Sequence, residues 1–199
     1  MVKNMPLPAK KEENKFSYAD YLTWPGNERW EIINGVAYNM SPSPTRKHQK
    51  ISIKLASKLY NYFEDKTCEV YEAPFDVKFP EDEKDRNEEI FNVVQPDILV
   101  VCDLDKLEEN CCKGAPSIII EIISPSTASK DFIKKRDLYE KNRVNQYWIL
   151  DPEEKEIFIF KLNDKSTYNK PEIYTRNDII KVEGFEGLEI DAGLIFKDF

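Results

Sequence analysis

The chain has 199 residues, 41% hydrophobic and 33% charged, with a net charge of −8 and a pI near 4.9. That length suits one domain with a substantial core, and no apolar segment approaches the ~20 residues needed to span a bilayer. The acidic balance argues against a protein that coats nucleic acid through a basic face, but not against an enzyme that engages phosphates locally through a metal ion.

The N-terminus is polar and lacks the apolar stretch of a signal peptide, so residues 1–15 read as a disordered tail and 16–199 as a single domain in a cytoplasmic protein. The four cysteines agree with that compartment. Cys68 and Cys102 lie in or beside strand-like segments, and Cys111 and Cys112 are adjacent in a loop. With no CxxC pair and a single histidine, His48, a structural zinc site is not expected.

In chain order, "FSYADYLTWP" predicts a short helix, with Ser17 as N-cap and Pro25 ending it. "RWEIINGVAYNM" predicts a β-hairpin turning at Asn34-Gly35. A long helix is expected from Arg46 to Asp65, because Ile51, Leu55, Leu59 and Phe63 recur every four residues. "CEVYE" and "FDVKF" are strand candidates, followed by an acidic, solvated loop from Pro80 to Glu89. "PDILVVCD" and "SIIIEII" are continuous apolar runs of the kind found in strands covered on both faces. A helix over "STASKDFIKKRDLYEKN" comes next, then a buried strand "QYWILDP" paired with "EIFIFKL". "GFEGLEIDAGLIF" predicts an edge segment closing over the core. The expected class is α/β with a mixed central sheet flanked by helices.

Glu121 stands in the middle of the apolar run Ile118–Ile123, where burying a carboxylate costs several kcal/mol unless a partner or a metal compensates it. Asp97 opens the preceding strand. If these strands are neighbours, the two carboxylates converge and can hold Mg²⁺, an ion usually bound by one or two carboxylates with waters and substrate phosphate. Asp131, Lys135 and Tyr139 follow at intervals of four, which places them on one helix face. Lys135 is positioned to orient a water or stabilise phosphoryl charge. Glu31, flanked by Trp30, Ile32 and Ile33, is a third candidate carboxylate.

The ordered set "RWEIINGV", "SPSPTRKH", "VQPDILVV", "IIIEIISPST", "DFIKKRDLY" and "QYWILDP" resembles the Uma-type restriction endonuclease family of the PD-(D/E)xK nuclease superfamily, from about Phe16 to the C-terminus. The resemblance implies a restriction endonuclease-like fold and Mg²⁺-dependent hydrolysis of DNA phosphodiesters, with Mn²⁺ able to substitute and a homodimer as the assembly. It makes Pro96-Asp97 the "PD", Glu121 the "(D/E)", and the Ile122 carbonyl a further metal ligand. Ile123 stands where the superfamily lysine would be, and Lys135 fits the family's lysine moved to the next helix. Glu31 matches the superfamily's early acidic residue. Arg46, Lys47, His48, Lys50, Lys130, Lys134 and Tyr139 are candidates for substrate contact near the site. Arg143 replaces a more usual glycine, so the helix end there would place Asn142 in the left-handed conformation or avoid that conformation.

Plainer readings compete. Asp97 could be a solvent-facing strand-start residue, Glu121 and Glu31 partners in buried ion pairs, Lys135 a solvated helix lysine, and His48 structural. Two other functions also fit: a non-catalytic binding or interaction protein on a nuclease fold, and a hydrolase of small phosphorylated molecules.

Overall fold

The computed structural model describes residues 15–26, 28–40 and 44–197. The tail expected over residues 1–15 therefore lies, apart from Lys15, outside the described residues. A four-residue helix, α1 (Tyr18–Tyr21), is capped by Ser17, whose hydroxyl accepts from the Asp20 N–H while the Asp20 carboxylate accepts from the Ser17 N–H. The hairpin β1 (Trp30–Ile33) and β2 (Val36–Asn39) turns at Asn34 and Gly35, both with positive φ (53° and 80°). That is the geometry a two-residue turn needs to match the strands' twist. Helix α2 (Arg46–Phe63) starts at Thr45, whose side chain accepts from the His48 N–H, and buries the Ile51, Leu55, Leu59, Phe63 stripe.

Nine further strands precede the C-terminal elements: β3 (Glu69–Glu72), β4 (Asp76–Lys78), β5 (Val93–Val94), β6 (Ile98–Val101), β7 (Leu107–Glu108), β8 (Cys111–Lys113), β9 (Ile118–Ile122), β10 (Gln146–Asp151) and β11 (Glu156–Lys161). A π-helical turn, Lys130–Lys135, runs directly into α3 (Arg136–Lys141) between β9 and β10. Then come β12 (Glu172–Thr175), β13 (Ile179–Lys181), β14 (Glu189–Asp191) and α4 (Ala192–Ile195).

The α/β class and mixed pairing are as expected, but there are two large sheets where one was expected. The first has the order β2-β1-β5-β4-β8-β7 and the second β12-β11-β10-β9-β6-β3. In the second, β9 runs parallel to β10 and antiparallel to β6. Alternation divides its side chains between two cores. Ile98, Val100, Ile118, Ile120, Trp148 and Leu150 face α2 and the C-terminal elements. Leu99, Val101, Ile119, Ile123, Tyr147 and Ile149 face the first sheet and α3. Glu121 alternates with Ile119 and Ile123, and so points into the layer between the sheets.

Three local expectations are corrected. The C-terminal segment does close over the core, yet β13 and β14 pair with each other as a separate hairpin and do not extend a main sheet. Cys68 and Cys102 stand opposite each other at the end of the β3–β6 register and are joined in a disulfide, while Cys111 and Cys112 are buried within β8 and not in a loop. The left-handed residue after α3 is Arg143 itself (φ 62°), not Asn142 (φ −89°). Its N–H bonds the Glu140 carbonyl and that of Val144 bonds the Tyr139 carbonyl, which is a Schellman end. A side chain in this conformation costs roughly 1–2 kcal/mol, partly offset by the entropy a glycine loses on folding. Arg143→Gly is therefore expected to raise stability by about 0.5–1 kcal/mol, seen as a higher midpoint in urea unfolding with an unchanged slope.

Among the described residues no helix is long and apolar enough to cross a membrane. The acidic segment at 80–89 is mostly exposed. Asp85 accepts from the Glu81 and Asp82 N–H groups, and Lys113 and Lys141 bridge the segment to the body of the protein.

Candidate active site

The layer between the sheets holds a connected group of charges. Lys135 is 2% exposed and reaches Glu31 Oε1 at 2.6 Å, Glu121 Oε1 at 2.8 Å and Asp131 Oδ1 at 3.7 Å. Tyr139 donates to the same Glu121 oxygen at 2.8 Å, and Lys130 takes the second Glu31 oxygen at 2.6 Å. Three elements meet here: β1 brings Glu31, β9 brings Glu121, and the helical segment after β9 brings both lysines, Asp131 and Tyr139.

The π-helical turn explains how both lysines reach one carboxylate. In an α-helix, residues five apart point about 140° away from each other. A turn closed by i→i+5 bonds is wider and brings Lys130 and Lys135 to the same side. Sequence spacing alone suggested the Asp131, Lys135, Tyr139 face but gave no sign of the Lys130–Glu31 contact.

Asp97 sits across from Glu121, since the β6–β9 register pairs Ile98 with Ile120. Its Oδ2 accepts from the Ile122 N–H at 2.7 Å and lies 3.1 Å from His48 Nε2. Extending the register one step further places Ile122 opposite Pro96. Proline has no N–H to offer the ladder, so it gives no donor to the Ile122 carbonyl.

Burial acts first on Glu121, Glu31 and Lys135, and their partners decide the outcome. Burial pushes Glu121 up, to about 8, against the lowering influence of Lys135, and the carboxylates Asp131, Asp97 and Glu31 push it further. Burial would raise Glu31 too, but Lys135 and Lys130 together hold it below its ordinary value. Burial would lower Lys135, yet Glu121, Glu31 and Asp131 keep it well above the usual ammonium range. Four carboxylates (Glu31, Asp97, Glu121, Asp131) thus share two ammonium groups, Lys130 and Lys135. Glu121 is where the shortage of positive charge falls.

A hard divalent cation fits this shortage. Asp97 and Glu121 each have one oxygen engaged by the protein, whereas Asp97 Oδ1 and Glu121 Oε2 take no hydrogen bond from the described residues. Those two oxygens and the Ile122 carbonyl are oxygen donors of the kind Mg²⁺ and Mn²⁺ accept. Glu31 has both oxygens committed to lysines, so its part is to hold Lys135. No group of three or more His, Cys, Asp or Glu side chains able to hold a metal occurs among the described residues.

A family model described as "Uma2: Putative restriction endonuclease" matches residues 18–193. The chain belongs to the Uma2 family. An uncharacterised protein of Synechocystis sp. is 26% identical over 153 residues, 75% of this chain and 76% of its own length. A crystal structure titled as a putative nuclease belonging to DUF820, from Anabaena variabilis, superposes with a TM-score of 0.73. It covers 91% of this chain and 97% of its own, at 20% identity, and so shares the fold.

The basic candidates of this Uma2 protein are spread around the site. Arg46 is exposed at the start of α2, beside Lys50 one turn on. Lys47 pairs with Glu153 at 2.9 Å, and Lys134 donates to the Tyr38 hydroxyl at 2.6 Å while lying over its ring. Ile123, at the position of the superfamily lysine, is 6% exposed in the core.

A polar network beside the site escaped the sequence reading. Gln95 donates to Asp76 (2.8 Å) and to the Tyr21 hydroxyl (3.0 Å), accepts from Arg29 Nε (2.8 Å), and offers its N–H to Glu31 at 3.4 Å. Its only sequence signal was its place immediately before Pro96-Asp97. Asp76, on the distant β4, had none.

Proposed function

We propose that this protein is a divalent-metal-dependent nuclease hydrolysing phosphodiester bonds of DNA, with Asp97, Glu121 and the Ile122 carbonyl as metal ligands. The observation that carries the reading is the facing carboxylate pair, buried Glu121 and part-buried Asp97, each with one oxygen that takes no hydrogen bond from the described residues. The shortage of positive charge around Glu121 points the same way. A bound Mg²⁺ or Mn²⁺ would lower the pKa of an attacking water and offset charge on the phosphate. Lys135, fixed by Glu31 and Asp131, presents an ammonium beside Glu121 to orient that water or to meet the developing charge. Tyr139 fixes the Glu121 rotamer through Oε1. Arg46, Lys50 and Lys134 would be the contacts for flanking phosphates.

Supercoiled plasmid incubated with Mg²⁺ or Mn²⁺ should be nicked by the wild type and left intact with EDTA. Asp97→Asn and Glu121→Gln should each slow cleavage by about 10²–10³-fold. Linear product formed together with nicked product would indicate paired sites, as a homodimer provides. Cleavage that persists in both variants would defeat the assignment.

A non-catalytic binding role on the same fold remains the second reading. It is favoured by the net charge of −8 and by the absence of a three-ligand side-chain cluster among the described residues. It predicts no metal-dependent cleavage by the wild type.

A further inference from the structure

His48 is the only histidine of the chain, and its place in the fold separates it from the basic residues around it. It lies in the first turn of α2, where its backbone N–H is capped by Thr45. Its ring leaves the helix toward the start of β6, and Nε2 meets Asp97 Oδ2 at 3.1 Å. The same oxygen accepts the Ile122 N–H at 2.7 Å. The other ring nitrogen, Nδ1, is buried and has no hydrogen-bond partner among the described residues. A proton on Nδ1 would meet no acceptor, so the proton that makes the Asp97 bond sits on Nε2.

Two donors converging on one carboxylate oxygen fix the rotation of the group. With Oδ2 held by Ile122 and His48, Oδ1 can point only away from them. We infer that His48 is a positioning residue that locks Asp97 Oδ2 so that Oδ1 is presented to the metal, and that it does not itself touch substrate. The inference rests on the nuclease reading and deepens it, by giving the metal site an outer hydrogen-bonding residue supplied by α2. It also accounts for the orphaned Nδ1. A ring that contacted phosphate would need a nitrogen turned to solvent, whereas here one nitrogen is committed to Asp97 and the other is buried.

The test compares His48→Phe, which keeps a ring of similar volume and removes the donor, with His48→Gln, whose amide N–H can replace Nε2–H. Mn²⁺ binding is measured by calorimetry and by electron paramagnetic resonance of the free ion. Binding of a short fluorescent DNA duplex is measured by anisotropy without divalent ions. Outer hydrogen bonds of this kind change metal affinity by about 10–100-fold. The expected result is that His48→Phe weakens Mn²⁺ binding by that factor, His48→Gln restores most of it, and metal-free DNA affinity is the same in all three proteins.

If His48→Phe loses DNA affinity and keeps Mn²⁺ affinity, His48 is a substrate contact and the inference is overturned. It is also overturned if His48→Gln is as impaired as His48→Phe, because the imidazole would then be needed as a ring and not as a donor. If the wild type itself binds no Mn²⁺, it is the metal-dependent reading that fails, whatever the variants do. Thermal melts of both variants would show whether packing around α2 is kept.

Discussion

Lys135→Met is expected to destabilise the protein by about 3–5 kcal/mol, the usual cost of removing one partner from a buried ion pair. The size follows from what is left behind. Among the described residues, Glu31, 0% exposed, would keep only Lys130, and Glu121 and Asp131 would lose the one ammonium within 4 Å of them. A domain of ordinary stability has about 5–15 kcal/mol in total, so this one side chain decides whether a good part of the population is folded. Urea unfolding measures the effect. Combining the change with Glu31→Gln should recover part of the loss, because the uncompensated charge goes with the amide. The coupling between the two sites should reach about 1–3 kcal/mol. A loss under about 1 kcal/mol would show that Lys135 is not the counter-ion that holds the cluster together.

The second large effect is a dependence on pH that runs opposite to that of most carboxylates. Glu121 is raised from 4.5 to about 8 on folding, chiefly by burial. Between those values the unfolded chain has released its proton and the folded protein has kept it. The folded state therefore binds more protons, and stability falls as pH rises through this window. Glu31 is held below its ordinary value, and its contribution is lost instead as pH falls through the acid range. The Glu121→Gln variant lacks the titrating group. Its stability relative to wild type should improve by up to about 1.4 kcal/mol per pH unit between pH 5 and 8, approximate limits taken from the pKa bounds. Added Mg²⁺ should stabilise wild type most at the alkaline end, where no proton competes for Glu121, and should leave the variant nearly unchanged. Unfolding curves across pH, with and without the ion, test both statements. A flat difference would place the raised carboxylate elsewhere.

Much of the architecture could be read from side-chain patterns. The unbroken apolar runs of β6, β9 and β10 announced strands buried on both faces, Asn34-Gly35 announced its turn, and the stripe from Ile51 to Phe63 announced α2. The division into two sheets was hidden because β5, β7 and β8 are only two or three residues long. Strands that short carry no alternation, and their partners are chosen by distant chain. At the site, Glu121 stood out because a carboxylate among isoleucines has no cheap explanation, and Asp97 followed from its place at the start of the adjacent strand. Lys130 stood out only as a candidate for substrate contact and not as a partner of Glu31, and Gln95 and Asp76 did not stand out. Each acts through contacts across tens of residues, and a polar residue near a turn looks the same whether it is solvated or bonded. Arg143 was misjudged in detail because Asn tolerates the left-handed conformation better than Arg, yet the Schellman hydrogen bonds require it one residue later.

The widened turn at Lys130–Lys135 also bears on how this segment can change over generations. An ordinary α-helical turn differs from it by a single residue, so a one-codon deletion between the two lysines would set them four apart on one face of an α-helix, whereas a one-codon insertion would set them six apart and turn one of them away from Glu31. The charges the interval must deliver thereby set an upper limit on its length, while the chemistry of its outward side is not constrained. Ile133, 57% exposed within the same turn, is free to drift. Insertions should be purged from these six positions long before substitutions on their outer surface are.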